Sequence, residues 1–464
     1  MSQLTKQNNL AERLKEVFLN HSYEIEPVEF LFLTATLLLN KHYSESPNRK
    51  KSVLNPPGGL YFNNLISDSE KERGTAILNG LRKLEKINPS TLEGVSQFVQ
   101  YSLRKGNDSY NELLRILTSV ISGTNNNFSP GETFDLILNE IAINTSKRGG
   151  EWRLAPEISS LLGQLLTPKQ GDSIYDPVSR DCSLLIHFSR IAHGKCDVFG
   201  QEPNFQNYGL GLFNLLLHGI IKNRETKQTD ALQDPFVEKD RLRKFDIVAG
   251  SPPMGLHWED SLREFDKYNR FYRGKPPLSS ADYAYISHML ESARDNTGKV
   301  GIVTAHGVLF REGAEGDIRK QIIKENLLEA VIGLPSGILH NTNLPPVILL
   351  FNKGKKNKKV HFINASLEYG KINKRNVLRE EDIQKIASVY RKKISQQGYS
   401  YLASIKEIEE NGFNLNISRY VETSETKEPV DIKALRNEIK TLEKELKIVE
   451  KKLSQEITKI GFKD

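Results

Sequence analysis

Cysteine is nearly absent from this chain of 464 residues, which contains only Cys182 and Cys196. Two cysteines cannot build a disulfide framework, and they cannot supply a four-cysteine zinc site. The sequence therefore predicts a protein of a reducing compartment, and it predicts no metal site.

Long apolar runs are also missing. No uninterrupted apolar stretch reaches the roughly 20 residues that a membrane-spanning helix needs, and the first 20 residues lack the apolar block of a signal peptide. We therefore expect a cytoplasmic protein. Internal repeats and long low-complexity tracts are absent as well, so a solenoid or a disordered chain is not expected.

The remaining composition is that of an ordinary globular protein, long enough for two or three domains. Lysine and arginine total 65 against 58 acidic residues, which gives a formal charge of +7. This excess weakly favours a polyanionic partner such as DNA, although a modest excess is also common for solubility.

Three short apolar stretches each end at polar residues, and apolar segments of helix length separate them. The stretches are DSIYDP (172–177), DVFGQE (197–202) and FDIVAGSPPMG (245–255), and the segments are 183–192 and 208–219. Strands that alternate with helices predict a parallel sheet with helices on its faces. Ligands of such sheets bind beyond the carboxyl ends of the strands, so we expect a site there.

These motifs, together with the stretch 281–346, resemble the modification (M) subunit of type I restriction-modification systems. That family consists of S-adenosylmethionine-dependent DNA adenine-N6 methyltransferases. The resemblance implies an α/β fold with a Rossmann-like methyltransferase sheet. It also implies S-adenosylmethionine as cofactor and DNA as partner, with a separate specificity subunit, a restriction subunit and a second M subunit as possible further partners.

Three regions are predicted from the pattern along the chain. Helical periodicity predicts an N-terminal helical domain over 1–122, and the turn-rich stretch SGTNNNFSPG leads into a Rossmann-like domain over 123–421. Apolar residues at alternating three- and four-residue steps predict a coiled-coil helix over 430–464. The positions of this seam are Ile432, Leu435, Ile439, Leu442, Leu446, Val449, Leu453 and Ile460. The resemblance implies that the seam binds the specificity subunit, and the alternative is packing on its own body.

The turn after the first strand departs from the family motif Asp-Pro-x-x-Gly-x-Gly. It begins with Asp176 and carries Arg180 and Cys182 in place of the two glycines. The methionine part of the donor lies against this turn in the family. Arg180 therefore places a long charged side chain where the ligand is expected, and we expect it to pair with Asp181 or with Asp176.

Three further positions are assigned to the cofactor through the resemblance. Glu202 matches the acid that binds the ribose hydroxyls, and Asp230 matches the acid near the adenine ring. Trp152 lies in GGEWRLAP (149–156), where the family has Gly-Glu-Phe-Tyr-Thr-Pro in a loop over the donor. The alternative for each acid is a cap of the following turn, and for Trp152 a residue packed beneath a connection between two helices.

The candidate catalytic segment is Ser251, Pro252, Pro253 and Met254. Adenine-N6 methyltransferases have Asn-Pro-Pro-aromatic here, in which oxygens accept the amino protons and the ring stacks on a flipped base. A serine hydroxyl accepts the same hydrogen bond, as in the similar motif of cytosine-N4 methyltransferases. Replacement of the ring by a thioether removes about 1 to 3 kcal/mol of stacking.

A loop with the sequence RFYRGKPP (270–277) resembles the family loop beside the target base. Arg270 and Arg273 are expected to contact DNA phosphates, and Tyr272 is expected to stack. The alternative is a solvated surface loop.

Three ligand-contacting stretches depart from the family together, whereas the scaffold stretches remain regular. We therefore predict a weak or inactive methyltransferase, a pseudoenzyme retained for DNA binding or assembly. The alternative is an active DNA adenine-N6 methyltransferase, and a cytosine-N4 methyltransferase is the less favoured form of that alternative. A small-molecule or protein methyltransferase shares the sheet, but it needs neither the helical N-terminal region nor the seam.

Overall fold

The computed structural model describes residues 3–45, 73–92, 94–103, 108–123, 128–145, 153–339, 342–372, 375–422 and 439–450. These residues fall into two compact units, Met1–Val421 and Glu422–Asp464, which are described separately.

The first unit begins with helices. They are α1 (Gln3–His21), α2 (Pro27–Glu45), α3 (Arg73–Ile87), α4 (Pro89–Leu92), α5 (Val95–Ser102), α6 (Asp108–Ser122) and α7 (Pro130–Asn144). Helix α2 is apolar around most of its circumference, and the other helices can therefore surround it. The side chains of Phe30 to Leu33 are fully buried. The predicted helical N-terminal region is thus confirmed as part of the fold.

The rest of the first unit alternates strands and helices. The strands are β1 (Ser173–Asp176), β2 (Asp197–Gln201), β3 (Arg224–Lys227), β4 (Val237–Glu238), β5 (Arg241–Leu242), β6 (Ile247–Gly250), β7 (Lys299–Ala305), β8 (Leu328–Gly333), β9 (Pro346–Asn352), β10 (Lys359–Asn364), β11 (Gly370–Ile372), β12 (Arg375–Val377) and β13 (Ser400–Ser404). The helices are α8 (Pro156–Leu166), α9 (Ser183–Ile191), α10 (Phe205–Leu217), α11 (Asp260–Glu264), α12 (Asp282–Ser292), α13 (Ala314–Lys324), α14 (Glu380–Lys392) and α15 (Ile405–Glu410).

Nine strands form one twisted sheet in the order β13-β10-β8-β9-β7-β6-β1-β2-β3. The five strands β7, β6, β1, β2 and β3 are parallel to one another. The carboxyl ends of β2, β1, β6 and β7 therefore lie at the same edge of the sheet. Apolar cores cover both faces of the sheet, and the side chains of β8 are buried throughout. The predicted Rossmann-like methyltransferase sheet is confirmed.

The sheet is parallel over the region for which parallel strands were predicted, and two later strands run the other way. Strand β9 runs antiparallel to both β7 and β8, and β13 runs antiparallel to β10. A parallel neighbour needs a crossover, usually through a helix. The chain between β8 and β9 contains only 12 residues, from 334 to 345, so β9 returns beside β8 in the opposite direction.

The N-terminal helices share their core with the sheet domain. Their apolar cluster includes Leu210, Phe213 and Leu216 of α10, a helix that follows β2. In α10 the backbone of Gly209 lies against the ring of Phe98 in α5, so closely that an added Cβ would stand 2.5 Å from a ring carbon. The two predicted regions are therefore in direct contact along α10.

In the second unit, residues 439–450 are helical. Ile439, Leu442, Leu446 and Val449 of the predicted seam are 54 to 60% exposed there. The other four seam positions lie outside the described residues, so the coiled coil stays a prediction. In the described part of the chain, no helix combines the length and the apolarity that crossing a membrane requires.

Candidate functional site

A cleft of about 320 Å³ opens at the carboxyl ends of β1, β6 and β7. The turn after β1 and the segment after β6 face each other across it, as predicted from the polar strand ends. Its lining includes Arg153, Arg180, Ser251, Pro252, Pro253, Met254 and Leu344. A second and larger cleft, of about 550 Å³, contains His193, His218 and Lys222 and none of the predicted site residues.

The turn after β1 keeps the backbone conformation that glycine favours, although both glycines of the family motif are absent. Arg180 has φ 46° and Cys182 has φ 58°. A left-handed conformation costs a residue other than glycine of order 1 kcal/mol or more. Hydrogen bonds hold the turn: the Arg180 amide donates to Glu202 Oε2 at 3.1 Å, and the Cys182 amide donates to the Ser179 carbonyl at 2.6 Å.

The side chain of Arg180 crosses the cleft. Its Nη2 donates to the backbone carbonyl of Ser251 at 2.8 Å. The expectation that Arg180 pairs with Asp181 is wrong in this structure, because Asp181 is paired with Arg153. Asp176 attracts the Arg180 guanidinium, but the hydrogen bond of that guanidinium goes to Ser251. The turn after β1 and the catalytic segment are therefore joined by one charged side chain.

Arg153 lines the cleft, and sequence reasoning missed it. It is 4% exposed, and its Nη1 lies 2.7 Å from Asp181 Oδ2 and its Nη2 3.4 Å from Asp135 Oδ1. Asp135 also contacts Arg190 and His218. Burial raises the pKa of Asp135, but the hydrogen bond with His218 and the charges of Arg153 and Arg190 hold it well below the usual range. The neighbouring Trp152, which the sequence favoured, lies outside the described residues. The sequence did contain a signal for this ion pair. Arg153 and Asp181 lie in two loops that depart from the family motifs, and their charges are opposite.

Two acids predicted to bind the cofactor's adenosine part each follow a strand. Glu202 follows β2, and its Oε1 accepts from the Asn204 amide at 3.0 Å while Oε2 accepts from Arg180. Asp230 follows β3, and its Oδ1 accepts from the Leu232 amide at 2.8 Å. Both acids thus cap a turn, and burial raises the pKa of each. A carboxylate has four lone-pair positions, so these caps leave room for ligand hydroxyls.

Asp176 is the last residue of β1 and is 3% exposed. Burial raises its pKa to about 7. Its Oδ1 accepts from the Val178 amide at 3.0 Å and lies beside Gly250 of β6, where an added Cβ would stand 2.7 Å from it. Glycine is therefore required at 250 by the close approach of this carboxyl.

The catalytic segment is held on both sides. Ser251 and Pro252 are buried, Pro253 is exposed, and Met254 is half-buried against the core under the sheet. The following amide, of Gly255, donates to Asp282 Oδ1 at 3.1 Å, and Asp282 Oδ2 lies 2.5 Å from Arg311.

In the turn after β3, Thr229 replaces the glycine of the family motif and accepts from Gln201 at 2.7 Å.

The loop 270–277 differs from the expected phosphate-binding surface. Arg270 is 2% exposed, donates to the carbonyl of Leu232 at 2.9 Å and pairs with Asp266 at 2.8 Å, so it fixes the turn that carries Asp230. Arg273 is buried as well.

The partners of Arg273 are Glu291 at 2.9 Å and Glu325 at 2.8 Å. The guanidinium groups of Arg270 and Arg273 are buried and paired with carboxylates. Neither is therefore exposed to contact a DNA phosphate in this structure. Tyr272 is 51% exposed, and its stacking on a base stays a prediction.

The sequence pattern of the family described as N-6 DNA methylase matches residues 127–429. The chain belongs to this family. Among similar proteins, the type I restriction enzyme MjaVII methylase subunit of Methanocaldococcus jannaschii is 32% identical over 400 residues, which are 81% of this chain and 68% of the relative. The MpnII methylase subunit of Mycoplasma pneumoniae is 30% identical over 326 residues, or 67% of this chain and 60% of the relative. The chain thus spans about two thirds of the length of these relatives.

Solved structures share the fold of this chain. A type I restriction-modification methyltransferase subunit from Streptococcus thermophilus superposes with a TM-score of 0.78 at 24% identity, over 90% of this chain and 100% of that chain. A modification subunit of a type I restriction enzyme from Vibrio vulnificus gives a TM-score of 0.67 at 15% identity, over 90% of this chain and 97% of that chain.

S-adenosylmethionine is the methyl donor of this family, and only part of it fits the residues present. Glu202 and Asp230, two carboxylates at strand ends, would hold the ribose and the adenine of its adenosine end. The sulfonium end does not fit while Arg180 bonds to Ser251, because two permanent positive charges would share one small cleft.

Proposed function

We propose that this chain is the M subunit of a type I restriction-modification complex, binds DNA together with a separate specificity subunit, and transfers methyl groups weakly or not at all. The observation that carries the proposal is the 2.8 Å hydrogen bond from Arg180 to the Ser251 carbonyl inside the cleft. The relatives, which are methylase subunits of type I restriction enzymes, support the assignment to such a complex.

The weakness of transfer follows from two features of the catalytic segment. A flipped base must offer its amino protons to the oxygens of this segment, and Arg180 already occupies one of them. The base must also stack, and Met254 offers a half-buried thioether in place of a ring. The loss of about 1 to 3 kcal/mol of stacking lowers the occupancy of the flipped state roughly ten- to a hundredfold.

An active adenine-N6 enzyme is the second candidate, with cytosine-N4 specificity as its less favoured form. The left-handed backbone at Arg180 and Cys182 favours it, because the turn keeps its shape without the glycines. Ser251 favours it as well, since a hydroxyl accepts the same hydrogen bond as an asparagine amide. In this case Arg180 must leave the cleft when donor and base bind.

The specificity subunit is proposed to bind the helix over 430–464. Four seam residues in the described part of that helix are exposed, and an apolar stripe in water is stable only against a partner. A second M subunit and a restriction subunit are further candidates for the same complex. The DNA target is then read by the specificity subunit.

Methyl transfer by the reconstituted complex tests the proposal. The chain and its specificity subunit are incubated with unmethylated DNA and S-adenosylmethionine, and the nucleosides are analysed for N6-methyladenine and N4-methylcytosine. We expect DNA binding in a gel shift, with turnover at least a hundredfold below that of the MjaVII methylase complex assayed in parallel. Turnover equal to that reference would establish the active alternative, and failure to bind DNA would contradict the M-subunit role.

A further inference from the structure

We infer that His288, a fully buried residue of α12, is a positioning residue for the cofactor: it fixes the turn that carries Asp230, and thereby the recognition of the donor's adenine. The inference deepens the proposed function and rests on it, because that function places an adenosyl cofactor beside Asp230. It adds a residue that lies outside every segment from which the site was predicted.

The turn after β3 is held by two buried side chains. Arg270 donates from Nη2 to the carbonyl of Leu232 at 2.9 Å. Gln201, the last residue of β2, donates from Nε2 to the carbonyl of Asp234 at 2.8 Å. The Asp230 carboxyl follows the backbone of this turn, because its Oδ1 accepts from the Leu232 amide. The position of this carboxyl therefore depends on Arg270 and Gln201.

His288 and Tyr175 join these two side chains inside the core. The hydroxyl of Tyr175 in β1 lies 2.6 Å from Gln201 Oε1 and 3.0 Å from His288 Nε2. The other ring nitrogen of His288, Nδ1, lies 3.4 Å from Arg270 Nη1. Three of these side chains are fully buried and Arg270 is 2% exposed, so bulk solvent does not compete for the contacts. Together with the carbonyls of the turn, the four side chains form a closed ring of hydrogen bonds.

The direction of each hydrogen bond in this ring follows from one backbone carbonyl. The Asp234 carbonyl only accepts, so the Gln201 atom beside it is the amide nitrogen, and the amide oxygen faces Tyr175. That oxygen also only accepts, so it takes the one hydroxyl proton of Tyr175. His288 must then donate to the Tyr175 oxygen from Nε2.

The second nitrogen of His288 is then fixed as an acceptor. Burial and the charge of Arg270 lower the pKa of His288 well below its usual value, so the ring is neutral and carries one proton. Because this proton is on Nε2, Nδ1 accepts from Arg270 Nη1. The residue at 288 must therefore offer one donor and one acceptor at the same time.

An apolar side chain at 288 offers neither group. The Arg270 guanidinium and the Tyr175 hydroxyl would each lose a partner in a buried position, and both would move toward other partners. The turn moves with Arg270, which is bound to its backbone. A displacement of about 1 Å can cost a site as much as a hundredfold in function. The contact between Asp230 and the adenine is therefore expected to depend on His288.

Two ligands that differ at the adenine amino group report on this contact. S-adenosylhomocysteine contains the adenosine of the donor, and its amino group can donate to a carboxylate. In S-inosylhomocysteine an oxygen, which only accepts, takes the place of that amino group. The ratio of the two dissociation constants therefore measures the contact with Asp230, whereas partial unfolding weakens the binding of both ligands alike.

Calorimetric titration of the full chain and its variants with both ligands tests the inference. The unmodified chain should bind S-adenosylhomocysteine about tenfold or more tightly than S-inosylhomocysteine. His288→Leu should bring the two dissociation constants to within about threefold, and His288→Gln, which restores a donor and an acceptor, should recover most of the difference. Asp230→Ala gives the ratio that remains without the carboxylate. His361→Leu in β10 is the matched control, because His361 is a buried histidine of the same sheet, and it should leave the ratio unchanged.

The outcomes separate positioning from packing, and the inference from the proposed function. A ratio that survives His288→Leu, even with a lower free energy of unfolding, would overturn the inference, because His288 would then only pack. An equal loss in His361→Leu would also overturn it. A ratio near one in the unmodified chain, or binding of neither ligand, would overturn it together with the place of the adenine beside Asp230, and the gel shift with the specificity subunit decides the M-subunit role separately. Circular dichroism confirms folding, and Tyr175→Phe, which breaks the same ring, is the second test if His288→Leu does not fold.

Discussion

At the scale of single residues, burial changes the charge of the site. Asp176 lies under the turn after β1, and burial raises its pKa to about 7 from an ordinary value near 4. The folded state therefore holds the proton more tightly than the unfolded chain does. The resulting stabilisation is complete below about pH 4 and is lost as the pH rises through about 7.

Replacing Asp176 by asparagine tests this linkage. The amide oxygen of Asp176→Asn still accepts from the Val178 amide but never ionises. At pH 8 the variant should have the higher free energy of unfolding, by no more than about 4 kcal/mol, because one pKa unit corresponds to about 1.4 kcal/mol. At pH 4 the two proteins should be nearly equal. Urea unfolding at both pH values measures the difference.

Asp197→Asn is the control, since Asp197 is exposed at the start of β2. A difference between Asp176→Asn and the unmodified chain that is the same at pH 4 and pH 8 would contradict the raised pKa.

At the scale of elements, the turn after β1 is stabilised by a residue 28 positions upstream of Asp181. Arg153 and Asp181 form a buried ion pair at 2.7 Å, and Arg153 continues to Asp135 in α7. A buried ion pair is costly to break from one side, because the remaining charge is left without a partner. The turn, the loop before α8 and helix α7 thus behave as one charged assembly.

Arg153→Met should lower the free energy of unfolding by about 3 to 5 kcal/mol, since the Asp181 carboxylate loses its partner in a buried position. The double variant Arg153→Met with Asp181→Asn should recover most of that loss, because the asparagine oxygen still accepts from the Ser183 amide. Urea unfolding of the unmodified chain, Arg153→Met, Asp181→Asn and the double variant gives the coupling free energy between the two side chains. Lys406→Met breaks an exposed pair at 3.7 Å and should cost less than about 1 kcal/mol. A double variant no more stable than Arg153→Met would show that the ion pair does not account for the loss.

Helix α10 joins the N-terminal helices to the sheet through a close contact. Gly209→Ala places a Cβ 2.5 Å from the buried ring of Phe98, and the crowding should destabilise the protein by about 1 to 3 kcal/mol. Gly316→Ala in α13 is the matched control, because its Cβ meets other atoms only at 3.7 Å and alanine favours a helix. Thermal unfolding should show a lower Tm for the first variant and an unchanged or higher Tm for the second. The reverse order would mean that α5 and α10 are not held this closely.

At the scale of the whole molecule, the exposed seam is predicted to make this chain a subunit of a complex. Leu442→Lys with Leu446→Lys interrupts the stripe, and it should abolish co-elution with the specificity subunit in gel filtration. Lys444→Gln with Lys447→Gln changes the same helix away from the seam and should leave co-elution intact. Co-elution of the first variant would place the interface elsewhere on the chain.

The order of strands and helices followed from the sequence, because periodicity and strand length are local properties. Polar residues after β1, β2 and β6 predicted a common site, and parallel strands bring those ends to one edge. Asp176, Glu202 and Ser251 could therefore be placed from the pattern alone. The reversal of β9 was not predicted, since it depends on the short link after β8.

The partners of the charged side chains were decided by the tertiary structure. Arg180 bonds to Ser251, 71 positions away, Arg153 pairs with Asp181, and Arg270 turns inward to hold the turn after β3. A sequence shows which charges are present. Which acceptor each guanidinium binds depends on the folded chain, because only folding brings the acceptor within 3 Å. The sequence by itself thus determined the sheet and the strand ends where the cleft opens, and the tertiary structure decided which charged side chains meet there.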